Sequence, residues 1–294
     1  MDGGGASGEA LRQLRQGWQC AEDIDAAALA DARAQLHHAL QLVADAGRKL
    51  ADGGDAEYLA EARALATGVV RGTRPFRIAL AVGDFALVVT DRDGKPQRNL
   101  PLAGQTFAQA VRWLRAEVEG RGADGQKLTG DAPYDLPDHK VADGAPFAAA
   151  RGEAMRKLGA YLANAWRLLS LVSNAQAEGA PVRFSSESLD YGASISFDDG
   201  KQIDFGFRLG DEEHDEPYFY VALLPPPELD EDELEELEEL EGGGEWATEG
   251  WFGGLLLGSA YTIYDSEAAQ AAAAASFFDS ALEQARILLG VADE

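Results

Sequence analysis

Four histidines, His37, His38, His139 and His214, are the residues best suited to acid–base or metal chemistry in this chain. Their spacing does not describe a metal site. No CxxC, HExxH or other close ligand pattern occurs, and tetrahedral sites are read from such patterns. His37 and His38 are adjacent, so on a helix they cannot both face one centre. His214 stands in the acidic run DEEHDE, where a surface imidazole among carboxylates is the ordinary account. No metal and no cofactor is predicted. Nucleophilic catalysis has no local signature either. There is no GxSxG elbow, and Ser185, Ser186 and Ser188 suit turns and caps. Cys20, the one cysteine, has acidic neighbours in GWQCAED, and nothing there would lower its thiol pKa. The glycines Gly242-Gly243-Gly244 continue into neither a Walker nor a dinucleotide motif.

One aromatic–carboxylate constellation does carry a hypothesis. Glu216-Pro217-Tyr218-Phe219-Tyr220 starts a strand, and Trp246, Glu249 and Trp251 follow an acidic segment. Aromatic walls around a partly enclosed carboxylate make a ligand pocket, and burial raises a Glu pKa. The structural alternative is a packed core edge with Glu249 solvated or capping.

These residues need elements to position them. Apolar residues at helical spacing predict a helix over Ala26–Leu50, and a second over Ala56–Ala66. Phe76–Val82 and Phe85–Thr90 read as strands separated by Gly83-Asp84, with DRDGK as the following turn. Thr106 is an N-cap for a helix to Glu119. The Gly- and Asp-rich stretch 120–146 reads as a long loop or sub-boundary. Phe147–Ala177 predicts the longest helix, with Trp166 packed in its apolar stripe. Val182–Phe184, Tyr191–Phe197, Gln202–Arg208, Tyr218–Leu224 and Leu255–Leu257 read as strands, the second and third joined by Asp198-Asp199-Gly200. In the third, Ile203, Phe205 and Phe207 share a face. Leu229, Leu234, Leu237 and Leu240 suggest a short amphipathic acidic helix, and Ser266–Leu289 an alanine-rich one.

The expected class is α+β: mainly antiparallel sheets in two meander regions packed against long helices, with a weak pseudo-repeat. Residues 1–8 read as a disordered start, 9–290 as one globular unit, and 228–244 as an inserted acidic helix with a Gly linker. The 294 residues are 46% hydrophobic, enough for a sizeable core, and carry a net charge of −26. That charge repels nucleic acid and anionic membrane surfaces, so neither is an expected partner. Ten acidic and no basic side chains occupy 228–241. No signal-peptide pattern and no apolar run of membrane-spanning length is present, and one cysteine suits a reducing compartment, so a cytoplasmic setting is expected.

Several segments resemble a bacterial domain-of-unknown-function family, number five-nine-nine-six. They are Leu36-His37 with Gln41, Leu100–Leu114, PYDLPDH around His139, APVRFSSESLD at 180–190, GDEEHDEPYFYV at 210–221 and GEWATEGW at 244–251. The resemblance covers most of the chain, and EPYFYV and TEGW are its most specific blocks. The family often places Trp-Pro-His-His-Phe-Asp where this chain has Ser185-Ser186-Glu187-Ser188-Leu189-Asp190, and only Asp190 matches. Its histidine before Thr-Glu-Gly-Trp is here Ala247. The resemblance therefore implies a family site that is degenerate or altered. The matching polar positions are His37, His139, Arg183, Asp190, Glu249 and Trp251.

Three functions are expected from these residues. The first is a small-molecule pocket lined by Arg183, Asp190, Tyr218, Glu249 and Trp251, with Arg183 orienting an anion. The second is a hydrolase or isomerase using His139 with Glu249 or Asp190 as acid and base. The third is an interaction module acting through the acidic segment 228–241.

Overall fold

The computed structural model describes residues 12–19, 21, 25–52, 54, 56–60, 63–148, 152–176 and 180–291. Cys20 and residues 1–8 lie outside the described residues. The chain is α+β, with two antiparallel sheets in two compact units. Asp25–Ala160 with Phe184–Leu189 form the five-strand unit, and Met1–Ile24, Tyr161–Arg183 and Asp190–Glu294 the six-strand unit. The expected single unit thus divides in two. The division does not fall in 120–146, because that stretch is hydrogen-bonded to the first long helix of its own unit.

In the five-strand unit, α1 spans Ala26–Leu50, capped by the Asp25 carboxylate, which accepts from Ala28 N. Its Leu29, Leu36, Leu40 and Val43 are buried as their spacing required. The helix expected over Ala56–Ala66 is instead a hairpin of β1, Glu57–Leu59, and β2, Ala64–Ala66. Alanine's helix propensity is a weak prior. Here β2 pairs with β3, Phe76–Ala81, and Ala64, Ala66 and Ala79 pack into one small-residue cluster. Next come β4, Ala86–Asp91, and β5, Pro96–Pro101, giving the sequential order β1-β2-β3-β4-β5. β5 was not legible because its residues PQRNLP are nearly all exposed and lack alternation, as suits a proline-bearing edge strand. α2, Phe107–Glu119, opens with Thr106 and Gln109 in a reciprocal capping box.

α3, Gly152–Ala175, contributes its residues through Ala160 to the five-strand unit and the rest to the six-strand unit. It buries Met155, Leu158, Leu162, Leu169 and Val172, while Trp166 is only half-buried. β6 is Arg183–Ser185, β7 Asp190–Ser196, β8 Gln202–Arg208, β9 Tyr218–Leu224, β10 Glu245–Ala247 and β11 Gly253–Leu257. Their order is β10-β11-β9-β8-β7-β6, antiparallel like the first sheet but not sequential. Tyr191, Ile195, Ile203, Phe205, Phe207, Phe219 and Val221 fill one face. Phe277 and Phe278 of α6, Glu267–Leu289, are buried with them, and Phe278 meets Phe205 and Phe219 edge-on.

The acidic helix is shorter than its leucine repeat suggested. α4 covers only Glu231–Glu235, and a single 3-10 turn follows at Glu241–Gly243. Like charges spaced four apart disfavour a longer helix. Leu240 is buried, and Gly242 is left-handed (φ 70°), where a Cβ would stand 2.0 Å from Ala273 O. Gly242 and Gly244 are therefore packed against α6 and Gly243 beside Ala260, so they do not form a free linker. A short α5, Gly258–Thr262, links β11 to α6. No helix among the described residues is long and apolar enough to cross a membrane.

Candidate functional site

A cleft of about 290 Å³ opens in the six-strand unit where β9 ends and β11 begins. Its lining comes from two stretches, Pro226, Pro227, Leu229 and Leu234 after β9 and Thr248, Gly250, Trp251 and Phe252 before β11. Local sequence builds it. The prolines cannot continue the ladder of β9. Gly253 lets β11 approach β9 closely, since a Cβ there would meet Val221 O at 2.0 Å. The acidic segment is stapled to β10 by Trp246 Nε1, which donates to Glu238 O at 2.9 Å. Trp246 also packs on Phe252.

Beside the cleft, Trp251 meets Tyr220 edge-on at 6.5 Å, and Tyr220 leads to a polar row on the open face of the sheet. Asp190, Arg208 and Tyr218 stand in register on β7, β8 and β9. Arg208 Nη1 donates to Asp211 Oδ2 at 3.0 Å, and Nη2 lies 3.6 Å from Asp190 Oδ2. The Tyr218 hydroxyl donates to the same Asp211 oxygen at 2.5 Å. Asp211 Oδ1 accepts the N–H groups of Glu213 and His214. The Tyr220 ring fills space left by Gly206, where a Cβ would stand 2.5 Å from its hydroxyl. The Arg208 guanidinium lies 6.0 Å from its centroid.

The electrostatics lock this row. Burial opposes ionisation of Asp211, but hydrogen bonds from Tyr218, His214 N–H and Arg208 outweigh it and hold the carboxyl below its ordinary range. Burial also opposes the charge on Arg208, and Tyr218, Asp211 and Asp190 overcome it. Burial raises the Tyr218 and Tyr220 phenols above their usual values. The shifts of Asp211, Arg208, Tyr218 and Tyr220 all favour the charge states these groups ordinarily have near neutral pH.

Of the five predicted pocket residues, Asp190 and Tyr218 share this row, and Trp251 touches it through Tyr220 and lines the cleft. Arg183 is exposed, as is Glu249 between the lining residues Thr248 and Gly250. Glu249 is therefore not an enclosed carboxylate. Sequence reasoning missed Arg208 and Asp211, and it named Tyr220 in the aromatic constellation without placing it in the pocket. The Asp198-Asp199-Gly200 turn held the signal, because its register pairs Asp190 with Arg208.

The histidines His37, His38 and His139 belong to the five-strand unit. Gln35, His37, His38, Gln41 and Asp45 are buried polar residues of α1, and each bonds a loop or turn. His37 Nε2 donates to Ser186 O and His38 Nε2 to Pro137 O, both at 3.0 Å. Tyr134 ties Gln41 to the Ser186 hydroxyl. Gln35 accepts from Ala148 N, and Asp45 from Thr129 N and Gly130 N. Burial lowers the pKa of His37 to about 4 and also lowers that of His38. His139 Nδ1 accepts from Val141 N at 3.2 Å, and its Nε2 lies 3.5 Å from Asp31. Both ring nitrogens thus face protein groups. Its carboxylate neighbour is Asp31; Asp190 and Glu249 belong to the six-strand unit.

Ser185 and Ser188 bond each other in a turn, as expected. No group of three His, Cys, Asp or Glu among the described residues could hold a metal ion. No family model, no curated protein and no solved structure matches this chain.

Proposed function

We propose that the protein is a binding module whose cleft beside Trp251 takes a small cationic ligand with an apolar body. The supporting observation is a cleft lined by Trp251, Phe252 and two leucines that belong to an acidic segment. Leu229 and Leu234 line the cleft, while Glu228, Asp230, Glu231, Asp232, Glu233 and Glu235 around them are exposed. Between Arg208 and Arg286 the chain carries 21 acidic residues and no Lys or Arg. Such a field concentrates cations, and the Trp251 ring offers an aromatic face to an ammonium group. The proline, leucine and phenylalanine walls take the apolar body.

The polar row behind Tyr220 serves as the rigid support of Trp251. A reducing, cytoplasmic setting and kinship with family five-nine-nine-six belong to the same proposal. The latter rests on the segments around Tyr218 and Trp251.

Calorimetric titration with benzyltrimethylammonium, with phenylacetate as an anionic counterpart, tests this reading. The cation should bind saturably and phenylacetate should not. Trp251→Ala, and Thr248→Trp to fill the cleft, should each remove binding while the circular dichroism spectrum stays native. Equal binding of both probes, or binding retained in both variants, refutes the proposal.

A further inference from the structure

The five-strand unit carries the opposite charge where its sheet meets α2. Residues 71–121 hold nine Lys/Arg against five Asp/Glu, in a chain of net charge −26. Three of these arginines, Arg74, Arg98 and Arg121, line a cleft of about 640 Å³. That volume lies within the range of small-molecule sites, roughly 300–1,000 Å³.

The arginines come from separate elements: Arg74 precedes β3, Arg98 lies on β5 and Arg121 follows α2. Glu117 on α2 holds two of them. Its Oε2 accepts from Arg121 Nη1 at 2.6 Å, and its Oε1 lies 3.4 Å from Arg98 Nε. Arg121 also lies over the Phe76 ring, 5.7 Å from its centroid. The other carboxylate lining the cleft, Asp91, is already occupied. Its Oδ1 accepts from Asp93 N and Lys95 N, and its Oδ2 from the Gln97 amide. Arg74 is exposed, and no hydrogen bond or ion pair among the described residues engages it. Cross-bracing of β5 to α2 accounts for Arg98, Glu117 and Arg121. It does not account for Arg74, or for the unbonded guanidinium nitrogens of Arg98.

We propose that this cleft binds a small oxyanion-bearing ligand, a phosphate ester or a polycarboxylate. Arg74 and Arg98 contact the oxyanion. Glu117 positions Arg98 and Arg121, so their planar donor forks are arranged before the ligand arrives. The site is independent of the cleft beside Trp251 and takes ligands of the opposite charge.

The test uses the full chain at constant ionic strength, because salt alone affects so acidic a protein. Pyrophosphate, citrate and chloride are titrated, read by thermal shift and by the arginine side-chain Nε–Hε resonances. Pyrophosphate or citrate should give saturable shifts of the Arg98 Nε–Hε signal, and chloride should not. A response to pyrophosphate alone identifies a phosphate ligand, to citrate alone a polycarboxylate, and to both the shared oxyanion chemistry.

Arg74→Ala with Arg98→Ala should weaken the binding by about tenfold or more, with the anion-free melting temperature little changed. Glu117→Gln should weaken it less, and the fold is checked there by the same spectra. The proposal is overturned if the double variant binds as the parent does, or if neither oxyanion saturates.

Discussion

His37 shows how one buried side chain makes stability depend on pH. Unfolded, its imidazole takes up a proton near its ordinary 6.5; folded, it resists until about 4, because burial disfavours the cation. The unfolded chain therefore binds more protons between these values, and stability falls as the pH drops through that window. Above the window the group contributes no pH dependence. The loss assignable to His37 is about 2–3 kcal/mol, and His38 acts in the same direction. His37→Gln keeps a donor for Ser186 O, so its urea-unfolding stability should decline about 2 kcal/mol less between pH 7 and 4.5. Equal declines in both proteins would show that His37 does not carry the effect. Tyr261 offers a second residue-scale prediction. Its hydroxyl is buried without a hydrogen-bond partner among the described residues, so Tyr261→Phe should leave stability unchanged or raise it by about 1 kcal/mol. A clear destabilisation in urea unfolding would reveal a partner for that hydroxyl.

At the scale of elements, α1 is both a core helix and the anchor of the loop at 128–148. The Asp45 carboxylate is 1% exposed as a residue; it accepts two loop N–H groups at 2.9 Å and lies 2.6 Å from Lys49 Nζ. Asp45→Ala would leave Thr129 N and Gly130 N without their acceptor. It should cost about 2–4 kcal/mol and speed amide exchange there, as hydrogen–deuterium exchange would measure. Unchanged exchange at Gly130 would show that the loop is held by other bonds.

The acidic segment is likewise integral to its unit. Leu240 is buried, Glu241 N donates to Ser280 Oγ, and Trp246 bonds Glu238 O. Deleting Leu229–Glu241 would therefore damage the fold, and Leu234→Lys is the better probe of the cleft wall. It should weaken benzyltrimethylammonium binding by about tenfold or more without changing the melting temperature by more than a few degrees. Undiminished affinity would place the ligand elsewhere.

Across the whole molecule, 51 acidic against 25 basic side chains impose self-repulsion. It is concentrated in the stretch between Arg208 and Arg286. Salt shortens the reach of this repulsion to about 8 Å at physiological ionic strength. The melting temperature at neutral pH should therefore rise by a few degrees between about 10 and 300 mM sodium chloride. A fall over that range would mean that the ion pairs outweigh the repulsion.

Local rules determined much of this architecture from the sequence alone. The Thr106 and Ser266 caps, the Gln202–Arg208 and Tyr218–Leu224 strands and the buried face of Ile203, Phe205 and Phe207 all follow from side-chain period and turn chemistry. These features depend on neighbours a few residues apart. Tertiary structure alone decided the features set by partners far along the chain. Ala64–Ala66 is a strand because β3 offers an edge. The glycines at 242 and 244 are packed and do not form a free linker because Ala273 and Phe277 of α6 approach them.

The sites divide in the same way. Trp251 and Tyr218 were visible as aromatic residues in their motifs. Arg208 and Asp211 entered through strand register and a turn. Arg74, Arg98 and Arg121 share a cleft only because the sheet and α2 bring three separated segments together.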